Sequence, residues 1–517
     1  MGNKTSAEAS VRSSALPVVP AIIRGQIVTD NLVQFTGRGD SLTFLTPDPA
    51  VLVKDLPLAS PSHLRDLHDL EFEEILDYLE ELGNLLDIDK SPYMQWAREL
   101  TYSTSHLTKP LIDNAFRKVP QFFRRERVRE MAEKTVGLKY LNGWTDITLA
   151  NGSVVGVRAF GARGVHIIPG NGPSPAVKSI IQSAFTRSDC IIKTPSNGPF
   201  MAAAVGQVMC EFAPEHPVTK HLAVCYWRGG DVDVEQRIYQ PHKVEKIVAY
   251  GGFASVKHVT RYIQPGLELI SLDPKNSASV LDLAALSDES SMREAALRLA
   301  VDMGVSNQQP CSSARVAYVV THKDPHAEAL MTRLARFTYE ELIGLPSGLS
   351  TTPKSYDGEL RSHVQSLRLQ EDFYTVVGGE ADEGCVIVSH LPDPVDFKHL
   401  LADRTLNLVP ADSVADVILN FDSYTQTVGV FPESLKDQLL DIAPFYGVQR
   451  FVSLGYSGEH TGCTPHDGLE MERRMCKWVI NQKIEPVPLA YAASRDGAAS
   501  DSTAEVVPSS LRAVHAH

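Results

Sequence analysis

The sequence predicts an α/β fold built from parallel βαβ units, and three observations lead to this prediction. After about residue 145, short apolar runs alternate with stretches long enough for helices. Most runs are apolar at successive positions, as strands are when helices cover both faces of a parallel sheet. Each run ends in a loop rich in Gly, Pro and polar residues. Ligands of such sheets bind beyond the carboxyl ends of the strands, so a site is expected in these loops.

Composition narrows the class of protein. The chain has 517 residues, 43% hydrophobic and 22% charged, which predicts a globular protein of about two to four domains. With 63 acidic against 49 basic residues, it is not expected to bind nucleic acid. No apolar run approaches the roughly 18 residues of a membrane span. The seven cysteines are scattered without a CxxC pair, which favours the cytoplasm and argues against a metal site.

The segments outside the βαβ units are expected to be peripheral. Residues 1–59 are predicted to form a polar tail and short strands, and residues 485–517 a flexible tail. Residues 64–89 are acid-rich with apolar residues at helical spacing, which predicts an amphipathic helix with a solvated charged face. Residues 117–134 are predicted to form a basic surface helix.

The βαβ units place several loops at one edge of a sheet. Strands are predicted at 165–168, 190–193, 222–227 and 247–250, with helices at 176–185 and 201–212 between them. The loops at Asn171, Lys193 and Gly251 follow three of these strands. Because the strands are expected to be parallel, these loops should meet at the carboxyl edge.

A further segment places a cysteine in a polar loop. Ser291 and Glu294 fit a capping box, which predicts the start of a helix that ends at Gly304. The next loop carries Cys311, and an apolar strand is predicted at 316–320. Free cysteines usually fill apolar cores, but a polar loop between a helix and a strand is where a thiol nucleophile can lie.

Eight short motifs occur in order along the chain. They are Pro169-Gly170-Asn171, Lys193-Thr194-Pro195-Ser196, Gly251-Gly252, Asp273-Pro274-Lys275-Asn276-Ser277, Gln308-Gln309-Pro310-Cys311, Tyr424-Thr425-Gln426-Thr427-Val428-Gly429, Gly447-Val448-Gln449-Arg450 and His466-Asp467-Gly468. Over about residues 60–480 the chain thereby resembles the aldehyde dehydrogenase superfamily, and more narrowly its acyl-CoA reductase branch, typified by the bacterial bioluminescence fatty acid reductase. The resemblance implies an aldehyde dehydrogenase-like α/β fold of two Rossmann-type domains with an active-site cleft between them. Residues 60–270 would form the dinucleotide-binding domain and residues 271–484 the catalytic domain.

The resemblance also implies the catalytic groups. Cys311 would be the nucleophile that attacks an acyl thioester and becomes an acyl-enzyme. Asn171 and the backbone N–H of Cys311 would form the oxyanion hole. Oxidising relatives carry a glutamate that activates water, but alignment on Lys275 places Ser271 there, and Glu268 lies three residues upstream. The missing base fits a reductase, which hydrolyses nothing.

The cofactor expected from the resemblance is NADPH. Lys193 would bond the adenosine ribose, and Gly251 and Gly252 would let the backbone approach the dinucleotide closely. Relatives that prefer NAD place a glutamate after the Lys-Pro-Ser segment, whereas Ser196 and Asn197 occupy that region here. A 2′-phosphate would meet no carboxylate, so NADPH is favoured over NADH.

His466 has two interpretations that the sequence leaves open. The resemblance implies a substrate-side hydrogen-bond donor near the acyl or pantetheine entrance. Alternatively, Asp467 and Gly468 simply form a turn in which Gly468 has positive φ.

The function expected from the resemblance is reduction of an acyl thioester to an aldehyde, with acyl-CoA or an acyl-carrier protein as substrate. Members of the family form oligomers, so the resemblance implies a homo-oligomer. It also allows partner subunits of a reductase complex. Two alternatives stay open. One is an aldehyde dehydrogenase that makes acids, and it needs a base such as Glu268. The other is a non-catalytic scaffold subunit, in which Cys311 is incidental.

Overall fold

The computed structural model describes residues 16–37, 39 and 42–482. Its strands are β1 (Ala21–Ile23), β2 (Gln26–Val28), β3 (Leu32–Thr36), β4 (Thr43–Pro47), β5 (Thr145–Thr148), β6 (Val154–Gly161), β7 (Arg163–Ile167), β8 (Asp189–Lys193), β9 (Leu222–Cys225), β10 (Lys246–Tyr250), β11 (Glu268–Leu272), β12 (Asn276–Asp282), β13 (Ala314–Val320), β14 (Tyr374–Gly378), β15 (Cys385–Ser389), β16 (Thr405–Ala411), β17 (Thr425–Phe431), β18 (Arg450–Ser453) and β19 (Cys476–Gln482). The predicted tail at 485–517 and most of the one at the start lie outside the described residues.

Helices cover these strands. They are α1 (Pro49–Leu52), α2 (Arg65–Asp69), α3 (Phe72–Leu85), α4 (Pro92–Thr104), α5 (Lys109–Arg117), α6 (Val119–Phe122), α7 (Arg125–Thr135), α8 (Leu138–Asn142), α9 (Ser174–Phe185), α10 (Phe200–Phe212), α11 (Pro217–Lys220), α12 (Val232–Ile238), α13 (Phe253–Thr260), α14 (Glu289–Gly304), α15 (Ala327–Gly344), α16 (Gly358–Leu367), α17 (Val414–Ile418) and α18 (Met471–Met475). No helix of the described residues is long and apolar enough to cross a membrane.

The first large sheet has the strand order β11-β10-β7-β8-β9-β1-β2. The strands from β11 to β9 are parallel, and β1 and β2 add an antiparallel edge. Neighbouring residues of β8 enter different apolar clusters, Ile192 with α9 and α10 and Ile191 with α12. Both faces are therefore covered, which is why the run is apolar without alternation.

The second large sheet has the order β14-β15-β16-β13-β12-β17-β18 and is parallel except for β14. Val280 and Leu281 of β12 again enter clusters on opposite faces. A third sheet, β19-β6-β5, brings residues near 480 back to residues near 155. Every strand of the first large sheet ends at or before Leu272, and every strand of the second begins at or after Asn276. The domain boundary expected between residues 270 and 271 stays a prediction.

Some predicted helix bounds were wrong for local reasons. The helix expected at 64–89 is broken, because Leu70 is extended and Glu71 starts α3 with a capping box to Glu74. The basic helix expected at 117–134 is divided into α5, α6 and α7, with Pro120 in the first turn of α6. The basic residues also meet the acidic ones: Arg125 bonds Glu73 of α3 at 2.8 Å.

The predicted capping box at Ser291 and Glu294 was also wrong. Helix α14 starts at Glu289, three residues earlier than a cap at Ser291 predicts. Asp288 is extended, and its Oδ1 accepts the backbone N–H of Ser291 at 2.9 Å. Aspartate is as good an N-cap as serine, so the earlier cap takes precedence. The helix does end at Gly304, as predicted.

Candidate active site

Two sheet edges meet at the candidate site. The carboxyl ends of β10, β7 and β8 lead into the loops with Gly251, Asn171 and Lys193. The amino ends of β12, β13 and β17 in the second sheet carry the loop with Cys311 and the start of β17. Lys178 of α9, just after β7, lies close enough for its charge to act on Cys311. The two edges therefore face each other.

The loop before Cys311 is strained and held by buried hydrogen bonds. Ser306, Asn307 and Gln308 all have positive φ (49°, 53° and 63°), a backbone conformation that residues other than glycine rarely adopt. The Gln308 amide donates to the carbonyls of Ala314 (2.7 Å) and Thr405 (2.9 Å), and its Oε1 accepts from the N–H of Thr405 (2.9 Å). Such strain persists where surrounding contacts fix it, so the loop has one defined shape.

Cys311 is the exposed cysteine of the chain, whereas the others are buried or half-buried. Ser277 donates to the Cys311 carbonyl at 2.7 Å, which fixes the backbone, and Gln426 Nε2 donates to Cys311 Sγ at 3.2 Å. Desolvation by surrounding protein raises the pKa of the thiol, and the charge of Asp467 raises it further. The hydrogen bond from Gln426 and the charge of Lys178 act in the opposite direction.

The His466 segment forms a tight turn in which the neighbouring aspartate faces Cys311. The backbones of His466 and Leu469 exchange two hydrogen bonds (2.9 and 2.8 Å), with positive φ at Asp467 and Gly468. Asp467 accepts a short hydrogen bond from Gln426 Nε2, while His466 Nε2 lies 3.8 Å from Asp467. Burial lowers the pKa of His466. The turn interpretation describes the local structure, and a role of His466 toward substrate stays a prediction.

Sequence reasoning missed two charged groups of this site. Lys178 lies on the first turns of α9, and burial together with Arg127 lowers the pKa of its amine. Glu472 of α18 is buried and accepts from Gln182 Nε2 at 2.8 Å, and burial raises its pKa. Lys178 could have been found seven residues after Asn171 on a predicted helix, but Glu472 comes from the far end of the chain and carries no such signal.

Lys193 lies in an environment typical of a lysine that binds a ligand. Its side chain is buried at the end of β8, with the amine 5.5 Å from the ring centre of Trp227. It makes no hydrogen bond or ion pair with the described residues. Burial lowers the pKa of the amine to about 8, and Glu235 opposes this. An unpaired buried amine fits the ribose of a nucleotide cofactor, as does Ser196, which is half-buried three residues later and also unbonded.

The glycines differ in what they accommodate. A side chain on Gly170 would strike the Asn197 amide, at 2.2 Å from its Cβ, so this glycine lets the first two loops pack together. A side chain on Gly252 would meet nothing within 4 Å, and one on Gly251 would make only ordinary contact with Ser255. The open space at Gly252 fits close approach of a dinucleotide to the backbone. Asn171 is exposed in the first of these loops, and its side chain makes no hydrogen bond within the part of the chain that the structure describes.

The residue proposed as an overlooked base lies at the wrong end of its strand. Glu268 pairs with Lys246 at the start of β10, whereas Gly251 follows the end of β10. Glu268 also accepts from Arg474 at 2.8 Å. At about 3.3 Å per residue, this carboxylate is more than 10 Å from the carboxyl edge. Ser271 lies inside β11, paired with Ala249. Within the described ranges, no group of three or more His, Cys, Asp and Glu residues could hold a metal.

Comparison with known proteins gives a family and a fold. A family model described as acyl-CoA reductase (LuxC) matches residues 67–478. The long-chain acyl-protein thioester reductase of Photorhabdus luminescens is 27% identical over 334 residues, which are 63% of this chain and 65% of that protein. The same-named protein of Vibrio harveyi is 25% identical over 63% of this chain and 66% of its own length. The chain thus spans slightly less than two thirds of these relatives.

Solved structures share the fold at low identity. Lactaldehyde dehydrogenase from Escherichia coli superposes with a TM-score of 0.66 at 14% identity, over 90% of this chain and 99% of the other. NADP-dependent glyceraldehyde-3-phosphate dehydrogenase from Bacillus halodurans, complexed with NADP, gives 0.68 at 13% identity, over 90% and 99%. The aldehyde dehydrogenase-like fold predicted from the eight motifs is confirmed.

Proposed function

The chain belongs to the acyl-CoA reductase (LuxC) family, and we propose that it reduces an acyl thioester to the aldehyde with NADPH, through an acyl-enzyme on Cys311. One observation carries the proposal. An exposed cysteine sits on a fixed loop, with a hydrogen-bond donor at its sulfur, and it lies opposite the loops of a parallel sheet, in a fold shared by a dehydrogenase that was solved complexed with NADP. A core cysteine would need none of these features.

The first half of the reaction transfers the acyl group. Cys311 Sγ attacks the thioester carbon, the bond to the carrier sulfur breaks, and the proton lost by Cys311 leaves with the outgoing thiol. The side-chain amide of Asn171 and the backbone N–H of Cys311 stabilise the tetrahedral oxyanion. The unbonded state of the Asn171 amide supports this role, because the donor is free for a substrate oxygen.

The second half reduces the acyl-enzyme. Lys193, Ser196, Gly251 and Gly252 hold the cofactor at the carboxyl edge of the first sheet, and the lack of a carboxylate at Ser196 favours a 2′-phosphate. When bound, NADPH supplies the hydride for the acyl carbon. The resulting thiohemiacetal on Cys311 collapses and expels the Cys311 thiolate, which releases the aldehyde.

The alternative, oxidation of aldehydes to acids, has less support. It requires a base that activates water beside the acyl-enzyme. Glu268 is engaged by Lys246 and Arg474, away from the cleft. Asp467 is held by the Gln426 amide and Glu472 by Gln182. Hydride transfer needs no such base, and the site is therefore suited to reduction.

The thioester could come from CoA or from a carrier protein. The relatives are named acyl-protein thioester reductases, which favours a protein-borne acyl group. The basic residues at 117–134 would suit an acidic carrier, but Arg125 and Arg129 bond Glu73 of the same chain. Docking there would need other basic residues. A homo-oligomer, and assembly with partner subunits, remain proposals.

The test is an acyl-chain series offered on CoA and on carrier protein, with NADPH consumption and aldehyde formation followed together. With cofactor omitted, mass spectrometry of the denatured protein should show acyl mass on the Cys311 peptide. Efficient acid formation from aldehyde and NADP⁺ without CoA would instead support the oxidising alternative. No acyl adduct and no NADPH consumption with any thioester would overturn the proposal.

A further inference from the structure

One amide lies between the nucleophile and a buried carboxylate. Gln426 is the second residue of β17, at the sheet edge that faces the cleft. Its Nε2 donates to Cys311 Sγ at 3.2 Å and also to Asp467 Oδ1. The three residues come from segments 115 and 41 positions apart. Three distant segments thus converge on the sulfur.

The partners of Gln426 fix which end of its amide faces the sulfur. A carboxylate only accepts hydrogen bonds, so Asp467 requires the NH₂ end. On the other side, Thr427 Oγ1 donates to Gln426 Oε1 at 3.4 Å. The Asp467 side chain is 6% exposed and its backbone is set by the turn to Leu469. If the amide rotated, its oxygen would face both a carboxylate and a thiolate.

We propose that Gln426 is a catalytic residue that stabilises the Cys311 thiolate by donating its N–H to the sulfur, and that Asp467 is the positioning residue that keeps this amide correctly oriented. The inference rests on the proposed function, in which the thiolate appears twice, before attack and on expulsion from the thiohemiacetal. A fixed donor at the sulfur raises the fraction of Cys311 that is present as thiolate before attack. It also lowers the barrier to expulsion, because negative charge develops on the sulfur in that step. Gln426 itself gains and loses no proton or electron, and the proton that Cys311 loses still leaves with the outgoing thiol.

Other charged groups act on the same sulfur from the surrounding elements. Asp467 faces it from the turn after β18 and raises the pKa of the thiol, while Lys178 of α9 lowers it. Arg315 of β13 and Arg450 of β18 also interact with Cys311. Because these groups remain in place, a change at Gln426 reports the amide alone.

The first test measures thiol alkylation, which needs neither acyl substrate nor cofactor. The rate of iodoacetamide addition to the Cys311 peptide is followed by mass spectrometry from pH 6 to 11 in the whole protein. Gln426→Leu should slow alkylation about tenfold at neutral pH, equivalent to one pKa unit, with the rates converging where the thiol is fully ionised. Gln426→Glu, which places a further carboxylate beside the sulfur, should slow it more.

Gln370→Leu, on the exposed turn after α16, is the matched control and should leave the profile unchanged. An unchanged profile in both Gln426 variants would overturn the proposal. So would an equal slowing at every pH, since that reports access to the sulfur and not stabilisation of the thiolate.

The second test asks whether Asp467 acts through Gln426. Asp467→Gly removes the carboxylate without backbone strain, because φ is 51° at this position and glycine tolerates it. Loss of the charge alone should speed alkylation at neutral pH. If Asp467 orients the amide, adding Gln426→Leu should slow alkylation less than threefold in this background, against about tenfold in the unaltered protein. An equal effect in both backgrounds would refute the positioning role. Acyl transfer to Cys311 in the unaltered protein would still stand in that case, so the two proposals fail separately.

Discussion

The two sheet edges that face each other across the cleft are built in opposite ways. On the first sheet, the side chains of Asn171, Lys193 and Ser196 make no hydrogen bonds with the described residues, and Gly252 has open space beside it. On the second sheet, the loop to Cys311 is held by buried hydrogen bonds of the Asn307 and Gln308 side chains, through Gln308 above all. The difference indicates that one edge is shaped to receive a ligand and the other to keep a single sulfur atom in place.

Removing the Cys311 sulfur should give the largest loss of activity. It should also show whether the two sheet edges act independently. Cys311→Ala is expected to lower thioester reduction by about 10³-fold or more, because no acyl-enzyme can form. Binding of NADPH, measured by its fluorescence, should be unchanged, since the first edge is untouched. Retained reduction would show that Cys311 is not the nucleophile, and lost cofactor binding would show that the edges are not independent.

The hydrogen bonds of the Gln308 side chain act as a clamp on the Cys311 loop, and removing this clamp should lower the stability of the protein. Gln308→Leu leaves the Ala314 carbonyl and both backbone groups of Thr405 without their buried partner, which should reduce the free energy of unfolding by about 3–4 kcal/mol. Denaturant titration measures this. The loss should also lower the rate of Cys311 alkylation or make it heterogeneous. Exposed Gln370→Leu should change neither, and a clamp variant as stable as the original protein would contradict the interpretation.

A buried carboxyl group beside the clamped edge should make stability depend on pH. Asp302 of α14 is fully buried and accepts the Ser457 N–H at 2.9 Å, and burial raises its pKa from 3.8 to about 6. The folded protein therefore holds this proton more tightly than the unfolded chain. The contribution is complete below about pH 4 and is lost as the pH rises through about 6, amounting to about 3 kcal/mol.

Asp302→Asn keeps the acceptor and removes the titration. Between pH 4 and 7, the free energy of unfolding of this variant should fall by about 3 kcal/mol less than that of the original protein. Urea denaturation at several pH values checks the difference. Identical pH dependence in the two proteins would show that Asp302 is not held in its neutral form.

The smallest effect is expected at the open edge. Ser196→Glu places a carboxylate where the 2′-phosphate is proposed to lie, and should weaken NADPH binding about tenfold, a repulsion of about 1.4 kcal/mol, with NADH binding unchanged or improved. Fluorescence titration with both cofactors measures the ratio. Because no described residue forms a hydrogen bond with the Ser196 side chain, stability should be unaffected. Equal weakening of NADPH and NADH binding would indicate that the 2′-phosphate does not lie beside Ser196.

The sequence predicted single groups better than it predicted their contacts. The order of motifs predicted the aldehyde dehydrogenase-like fold and singled out Cys311 as a candidate nucleophile, because the cysteine and the loops each lie in a local pattern. The clamp could not be predicted, since Gln308 binds Thr405, 97 positions later. The same limit applies at the turn after β18. The sequence drew attention to His466, whereas positive φ at Asp467 directs the aspartate toward Gln426.

The three-stranded sheet bears on how the chain folds during synthesis. Strand β6 pairs along its length with β19, so Gly161 meets Cys476 more than three hundred positions later. During synthesis, the edge of β6 that pairs with β19 stays unpaired until nearly all of the described residues have been synthesised. Exposed strand edges invite pairing with other chains. Slow translation or truncation before residue 476 should therefore favour aggregation of this protein over folding.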